Sequence, residues 1–206
     1  MKHYPSIPGD PVDIPIMGWD KLDGSQIRCE VNRKHGLHKF GSRKVLVGPD
    51  HKFLGRAEEI ARARYGDSLP RILKEQRWEE KTCYLEFHGP RSFAGRHDPN
   101  DEHTVTLIDV SVYKKGFMLP RDFYRTYTAA GVPTAALLYE GRPNAEFIAA
   151  VKSGTLPGMT CEGVVCKGAP TKNGYPPTMF KVKADAWVAR VKAQYGGDPA
   201  ALRDLL

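Results

Sequence analysis

The chain has 206 residues, of which 41% are hydrophobic and 27% are charged, a composition that is ordinary for a globular domain and argues against disorder. No stretch approaches the roughly 20 consecutive apolar residues that a membrane-spanning helix needs, and the N-terminus lacks the apolar core of a secretory signal. We therefore expect one cytoplasmic domain over residues 1–206 that makes no membrane contact.

The chain is basic, with a formal net charge of +7 and a pI near 9.2. Lysines and arginines that neutralise phosphates release condensed counterions, so this charge favours a polyanionic partner such as nucleic acid. The four cysteines show no C-x-x-C spacing, and no nearby pair of cysteines or histidines completes a tetrahedral zinc set. Free thiols are expected.

Residue periodicity predicts strands and helices that do not alternate as they do in a doubly wound sheet. Polar and apolar alternation and β-branched runs predict strands within 14–31, a strand pair over 39–47, and strands at 81–88, 104–112, 135–139, 162–167 and 178–183. Apolar residues at helical spacing predict helices at 57–65, 69–77, 120–130, 144–152 and 184–195, and a short helix after Asp198. An α+β fold with largely antiparallel sheets follows.

A lysine, an aspartate and a glycine lie close together within the predicted strand-turn-strand segment 14–31 and suit a strand that turns. Lys21 and Asp23 are two residues apart and therefore share a face of an extended chain, while Gly24 lets the backbone bend or a ligand approach closely. Taken alone, these residues also suit a charged surface turn. Further charged residues follow them in a fixed order, namely Ser42-Arg43, Glu86, Glu162, Lys167, Lys181 and Lys183.

In this order, these segments resemble the motifs of the covalent nucleotidyltransferase superfamily, which contains ATP-dependent DNA ligases, RNA ligases and mRNA capping enzymes. The resemblance extends from Tyr4 to about Trp187. It implies the nucleotidyltransferase (ATP-grasp-like ligase) fold, which has two packed, mainly antiparallel sheets with outer helices. It also implies ATP, with Mg²⁺ or Mn²⁺, as the cofactors.

The resemblance makes Lys21 the nucleophile that becomes joined to AMP. A lysine near its usual pKa of about 10.4 is protonated at neutral pH, so it needs nearby positive charge or desolvation before it can attack. Lys181 and Lys183 are two residues apart on one predicted strand and share a face. The resemblance implies that both contact the triphosphate beside Lys21, where they offset developing negative charge.

The same resemblance gives roles to four acidic and basic side chains. Glu162 is the metal-side carboxylate, since Mg²⁺ prefers carboxylate and phosphate oxygens. Glu86 is assigned to the ribose hydroxyls, and Arg43 to the phosphates or the sugar. Asp23 either orients the nucleophile or assists the metal.

Lys167 and the residues assigned to the base raise two questions. Lys167 follows Glu162 by five positions, so both reach the nucleotide only if the strand ends, twists or bulges before Lys167. The resemblance places adenine between Val164, which would share a face with Glu162 in a regular strand, and a residue of an earlier strand. That position holds Ile108, where many relatives have an aromatic ring, and Phe87 is the alternative source of a ring.

Two departures from the family patterns favour an RNA ligase. Gln26 occupies the position where DNA ligases and capping enzymes have an arginine, and Arg28 lies two residues further on. Too few residues follow Lys183 for the oligonucleotide-binding domain that those enzymes carry. The chain is therefore interpreted as the catalytic domain of an ATP-dependent RNA ligase of phage or RNA-editing type, with no appended domain.

The expected reaction forms a lysyl-AMP, transfers AMP to a 5′-phosphate end and seals that end to a 3′-hydroxyl. RNA ends or a nicked duplex would then be bound by Arg33, Lys34, Lys39 and Lys44, or by a partner protein. The alternatives are a minimal ATP-dependent DNA ligase and a catalytically inactive nucleic-acid-binding module of the same fold. The sequence leaves open whether the protein is phage-encoded and acts in a host cytoplasm.

Overall fold

The computed structural model describes residues 3–43, 45–48, 50–51, 54–170 and 177–206. These residues divide into two compact units. The first unit takes its described residues from Met1–Pro5 and Gly24–Thr134, and the second from Ser6–Asp23, Ala135–Thr171 and Pro177–Leu206. Within the described part of the chain, none of the helices combines the length and hydropathy needed to cross a bilayer. A single catalytic domain over 1–206 stays a prediction.

The described elements are nine strands, six α-helices and one π-helical turn. The strands are β1 (Ile16–Asp20), β2 (Ser25–Asn32), β3 (Gly36–Ser42), β4 (Glu80–His88), β5 (Thr104–Val112), β6 (Gly116–Phe117), β7 (Leu137–Gly141), β8 (Gly163–Gly168) and β9 (Thr178–Lys183). The helices are α1 (Gly55–Tyr65), α2 (Ser68–Glu75), α3 (Pro120–Phe123), α4 (Ala145–Ser153), α5 (Asp185–Tyr195) and α6 (Pro199–Leu205). The π-helical turn, Tyr124–Thr128, follows α3.

The first unit is built on an antiparallel sheet in the order β3-β2-β4-β5-β6. Helices α1 and α2 contact this sheet. The Tyr65 hydroxyl accepts a hydrogen bond from the Leu107 amide at 2.9 Å and lies 2.8 Å from the Pro133 carbonyl oxygen. One fully buried side chain of this unit is a lysine, since Lys81 is 0% exposed.

The second unit is built on an antiparallel sheet in the order β7-β1-β8-β9. One face of this sheet carries the core of the unit, because alternate residues of β1, β8 and β9 point to it. The cluster contains Ile16, Phe147, Val151, Val164, Cys166, Phe180 and Val182. Two of these residues, Phe147 and Val151, come from α4.

The predicted α+β class is confirmed, and β5 and β9 have the predicted bounds. The predicted strand pair over 39–47 is wrong in part. Among the described residues of this region β3 is the one strand, and the second segment pairs with it only through an isolated bridge of Leu46 with Gly41 and a hydrogen bond from the Val47 amide to the Phe40 carbonyl. The regular hairpin of this region joins β2 to β3, and its turn lies at residues 32–36. There the Asn32 side chain accepts hydrogen bonds from two following amides, and Gly36 has φ +61°. Asparagine and glycine are the residues that such turns require.

Two later elements also differ from the sequence prediction. The helix expected at 120–130 changes after Phe123 to i→i+5 hydrogen bonding, with the Ala129 amide bonded to the Tyr124 carbonyl at 2.8 Å. The strand expected at 135–139 begins at Leu137 and is half-buried rather than buried. Among the described strands it pairs only with β1 and lies at one edge of the sheet.

Replacing Asn144 by alanine is expected to destabilise the second unit by about 1 kcal/mol, the usual value of a lost helix cap. The Asn144 side chain accepts a hydrogen bond from the Phe147 amide at 2.7 Å, and α4 begins at the next residue. Urea unfolding would measure the loss. Asn144→Asp, which keeps an acceptor, should retain most of the stability. Asp198→Ala removes the cap of α6, which has no buried residue, and should lose less.

Candidate active site

The segment that carries Lys21 leaves β1 at the edge of the core of the second unit. The Lys21 amide donates to the Gly163 carbonyl at 2.9 Å, so its backbone is fixed against the start of β8. Its Nζ lies 2.8 Å from Glu162 Oε1. Along β1, Met17 and Trp19 have the same parity as Lys21 and pair with Lys167 and Val165 of β8, which places these side chains on one face of the sheet.

Glu162 contacts two lysines through one carboxylate oxygen. Its Oε1 lies 2.8 Å from Lys21 Nζ and 2.9 Å from Lys183 Nζ. Glu162 is 4% exposed, so these two charges are its main compensation for the loss of water. Three residues that are far apart in sequence therefore meet at one oxygen atom, as their motif order led us to expect.

Glycine at position 163 makes this contact possible. Its φ is +143°, and a Cβ at this position would lie 2.1 Å from the Val182 carbonyl oxygen. From Gly163 to Gly168 the strand pairs regularly with β9. The irregularity that the spacing of Glu162 and Lys167 required therefore lies at the start of β8, and Glu162 is outside the regular strand.

Lys181 and Lys183 share a face of β9, as the sequence predicted. They pair with Val165 and Gly163 of β8, respectively. Burial lowers the pKa of Lys183 to about 8; Glu162 opposes this shift, while Lys21 and Lys181 add to it. A fraction of Lys183 is therefore neutral at pH 8, and its charge depends strongly on what binds near it.

Lys167 lies on the same face of the sheet but contacts a different partner. Its Nζ is 5.2 Å from the centre of the Trp19 ring, at a distance typical of a cation–π contact. Lys167 is 5% exposed. Its side chain is therefore buried on the face that also carries Lys181 and Lys183.

Val164 does not lie where the sequence analysis placed it. It is 0% exposed and belongs to the core cluster with Phe147 and Val151. The expected shared face with Glu162 fails because Gly163 interrupts the alternation. The half-buried Val165 instead shares the face of the lysines.

Asp20 and Trp187 belong to the site and were missed by the sequence analysis. Asp20 accepts hydrogen bonds from the Thr160 amide and hydroxyl at 2.9 and 3.2 Å, and burial raises its pKa. The Trp187 indole donates to Asp23 Oδ2 at 2.6 Å. The position of Asp20 beside Lys21 was a signal for the first, whereas no sequence signal connects Trp187 with Asp23.

The other predicted site residues lie in the first unit. Glu86 is half-buried on β4 and pairs with Gln26 of β2 and Thr106 of β5. Ile108 lies at a β-bulge of β5, since Tyr84 pairs with Asp109 and the next residue pairs with Leu107. The extra residue leaves Ile108 half-buried on β5.

Phe87 and Arg43 have different surroundings. Phe87 is 1% exposed, and its ring centre lies 4.6 Å from that of His103 and 4.8 Å from that of His97. These contacts are core packing of the first unit. Arg43 is exposed just after β3, and its carbonyl lies 2.8 Å from His3 Nδ1.

His97 connects a loop of the first unit to the residue after Gly24. Its Nε2 lies 2.8 Å from the Ser25 hydroxyl and its Nδ1 2.9 Å from the Ser92 hydroxyl. The Gly89 amide donates to Ser92 Oγ, and Ser25 Oγ donates to the Gly95 carbonyl. This order of donors assigns the proton of a neutral imidazole to Nε2.

Acidification is expected to destabilise this loop between pH 6.5 and 4. Burial lowers the pKa of His97 to about 4; His103 and His88 add to the shift and Asp101 opposes it. The unfolded chain takes up this proton near pH 6.5, so it binds more protons than the folded chain over this interval, and stability falls as the pH is lowered. NMR titration of the His97 Cε1 proton would show it, and a midpoint near 6.5 would contradict it. His97→Gln should flatten the pH dependence of unfolding.

One further group of side chains could hold a metal ion. Ligand atoms of Glu30, His38 and Glu80 lie within 4.8 Å of one another. Lys39 Nζ already lies 3.1 Å from Glu30 Oε2. Its positive charge occupies part of the space that a cation would need.

No protein-family model and no curated protein matches the chain, but solved structures do. An RNA ligase of Naegleria gruberi with pyrophosphate aligns over 88% of this chain and 52% of its own, with 16% identity and a TM-score of 0.60. A mutant of that ligase with ATP and Mn aligns over 87% and 52%, with 15% identity and a TM-score of 0.61. The chain has an RNA-ligase fold.

A second mutant of the Naegleria gruberi ligase, with AMP and Mn, is similar to the same extent. It aligns over 86% of this chain and 52% of its own, with 14% identity and a TM-score of 0.59. The chain therefore spans about half the length of these ligase chains. The RNA-ligase fold confirms, at the level of the fold, the resemblance that the motif order indicated.

Proposed function

We propose that this chain is the nucleotidyltransferase domain of an ATP-dependent RNA ligase. The observation that carries the proposal is the contact of Lys21 and Lys183 with one buried oxygen of Glu162. The RNA-ligase fold supports it, and the Naegleria gruberi ligase has been seen with ATP, AMP and Mn. Nucleic acid with a 5′-phosphate end and a 3′-hydroxyl would be the substrate.

In the first step, the neutral Nζ of Lys21 attacks the α-phosphorus of ATP. A P–N bond forms, the bond from the α-phosphorus to the bridging oxygen breaks, pyrophosphate leaves, and the proton of the nitrogen passes to solvent. Lys181 and Lys183 offset the negative charge that develops on the phosphates. AMP then passes to a 5′-phosphate, and a 3′-hydroxyl displaces it to seal the strand.

Glu162 would hold the divalent cation. Its single buried carboxylate suits Mg²⁺ or Mn²⁺, since such ions usually enter together with nucleotide phosphates rather than in an all-protein site. When bound, the ion would neutralise phosphate charge.

The remaining nucleotide contacts are proposed from the resemblance, with one change. Glu86 is proposed for the ribose, Arg43 for the phosphates or the sugar, and Ile108 for the base. On β8 we assign the aliphatic base contact to Val165 instead of Val164, because Val165 shares the face of Lys181. Lys167 is proposed to contact the nucleotide from that face.

Substrate strands are proposed to bind basic surface. Arg33, Lys34 and Lys39 are exposed, and Lys44 lies outside the described residues. Such binding releases counterions, so the affinity for nicked duplex should fall as salt is added. An affinity that does not change with salt would contradict this surface, and a partner protein for strand binding would then be required.

The decisive experiment is incubation with Mg²⁺ and ATP labelled at the α-phosphate, followed by denaturing electrophoresis. A label that survives denaturation is expected on the wild type and absent from Lys21→Ala. Lys192→Ala, which changes an exposed lysine of α5, is the control and should keep the label. If well-folded protein takes up no label from ATP, GTP or NAD, the proposal fails and a nucleic-acid-binding module is favoured.

Sealing assays then separate the substrates. Nicked duplexes whose broken strand is RNA or DNA are compared at equal concentration. Sealing of RNA is expected. Sealing of nicked DNA alone would favour a minimal ATP-dependent DNA ligase.

A further inference from the structure

Trp187 contacts two residues of the candidate active site at once. It lies in the first turn of α5 and is 4% exposed. Its indole N–H donates to Asp23 Oδ2 at 2.6 Å. Lys183 Nζ lies 3.9 Å from the centre of its ring. A single rigid side chain therefore contacts the segment after the nucleophile and one of the two lysines on Glu162.

The hydrogen bond to Asp23 fixes a stretch of chain that has no regular structure. Residues 21–23 lie outside every strand and helix, between the end of β1 and the start of β2. Asp23 is 7% exposed. A hydrogen bond to an ionised carboxylate is short and about twice as strong as one between neutral groups, so the indole is an effective restraint on this segment.

The ring also determines where Lys183 lies. The ammonium group donates to Glu162 Oε1 at 2.9 Å and to the Leu205 carbonyl, and the face of the Trp187 ring covers another side of it. An aromatic face attracts a cation and excludes water from it. Removal of the ring would let water reach Lys183 and would give the side chain more conformations.

We propose that Trp187 is a positioning residue for lysyl-AMP formation, because its indole fixes Asp23 on one side and Lys183 on the other and so keeps Lys21 and Lys183 at Glu162. This inference rests on the proposed function. It assigns no chemical step to the indole itself. Its effect is on the geometry of the two lysines, and hence on the rate of attack more than on the affinity for ATP.

The variants Trp187→Phe and Trp187→Leu separate the two contacts. Phenylalanine keeps a ring for Lys183 and loses the N–H, and single-turnover lysyl-AMP formation is expected to slow about tenfold, as for the loss of a hydrogen bond to a charged group. The apparent Kd for ATP should stay within about twofold. Leucine loses both contacts and should slow the step by roughly 100-fold.

Trp78→Phe is the matched control. Trp78 lies in the first unit, where Lys81 Nζ is 5.9 Å from the centre of its ring. It is also a tryptophan beside a lysine, but neither residue is assigned to the proposed active site. Its variant should form lysyl-AMP at the wild-type rate. Urea unfolding of each variant would show whether lost stability, rather than lost positioning, explains a slow rate.

An NMR measurement tests the contact without any turnover. The indole N–H resonance that disappears in Trp187→Phe is assigned to Trp187. It should move upfield by a small amount in Asp23→Asn, which keeps an acceptor oxygen but a neutral and weaker one, and move further upfield in Asp23→Ala. An unchanged resonance in Asp23→Ala would overturn the inference.

The outcomes separate the inference from the function on which it rests. If the wild type forms lysyl-AMP and Trp187→Phe does so at the same rate, the positioning role is wrong and the proposed function stands. If Trp187→Phe weakens ATP binding as much as it slows the step, Trp187 is a binding residue and the inference is also overturned. If the wild type forms no lysyl-AMP, the proposed function fails, and the positioning role fails with it.

Discussion

Glu162→Gln is expected to reduce lysyl-AMP formation by at least about 100-fold, the effect of losing a group that organises charge at a reacting phosphate. The substitution keeps the size of the side chain and removes its charge. Lys21 and Lys183 then lie beside a neutral oxygen, where their mutual repulsion is no longer compensated. Both lysines should leave the geometry that the wild type shows, and the metal-binding carboxylate is lost.

The same variant is expected to lose about 3–5 kcal/mol of stability, the usual cost of removing one partner from a buried ion pair. Adding Lys183→Met should restore much of that stability without restoring activity. Urea unfolding and the labelling assay would measure the two effects separately. Glu146→Gln, which changes an exposed glutamate in the first turn of α4, is the control and should change neither by much. Wild-type labelling by Glu162→Gln would contradict the proposed site.

Lys81→Ala should destabilise the first unit by about 2–4 kcal/mol, because it leaves a cavity and removes a donor from buried acceptors. Lys81 Nζ donates to the Leu69 carbonyl at 2.8 Å and to the Tyr127 hydroxyl at 3.1 Å. These bonds connect β4 to α2 and to the π-helical turn. Lys81→Met keeps the volume and removes the buried charge, and should cost less than about 1.5 kcal/mol.

The pH dependence of unfolding separates the effect of the Lys81 amino group from that of its apolar side-chain carbons. Burial lowers the pKa of Lys81, whereas the unfolded chain keeps this proton up to about pH 10.4. The unfolded state therefore binds more protons between the two values, and stability rises with pH there. Lys81→Met should remove this rise, and Lys74→Met, on an exposed position of α2, should not. Equal slopes for all three proteins would contradict a shifted Lys81.

The sequence predicted the parts of the site that depend on local pattern. Alternation in β9 predicted that Lys181 and Lys183 share a face, and they do. The resemblance in motif order led us to expect Lys21 and Glu162 in one site, and their side chains are in contact. The wrong placement of Val164 has a physical cause. The alternation of side chains between the two faces of a strand is interrupted at Gly163, and the sequence does not show that this glycine has a positive φ.

Other parts of the site depend on packing that local pattern does not contain. From the sequence, Trp187 is one apolar residue of an amphipathic helix. Its hydrogen bond to Asp23 depends on the folding of α5 and the segment after β1 into the same unit. Lys81 has the charge of a surface residue, and its burial depends on acceptors from α2 and the π-helical turn. In both cases the partner is a residue that no periodicity connects to it.

The backbone of Gly163 has a consequence for chemical synthesis. A φ of +143° is the mirror image of the φ of ordinary extended backbone, so this position has a φ that a D-amino acid adopts more readily than an L-amino acid. L-alanine at 163 would meet the Val182 carbonyl, whereas D-alanine introduced by peptide ligation adds the same methyl group with the opposite handedness. The two proteins would have the same composition and charge. Comparing their lysyl-AMP formation would show how strongly the contacts of Glu162 with the two lysines depend on the handedness of residue 163.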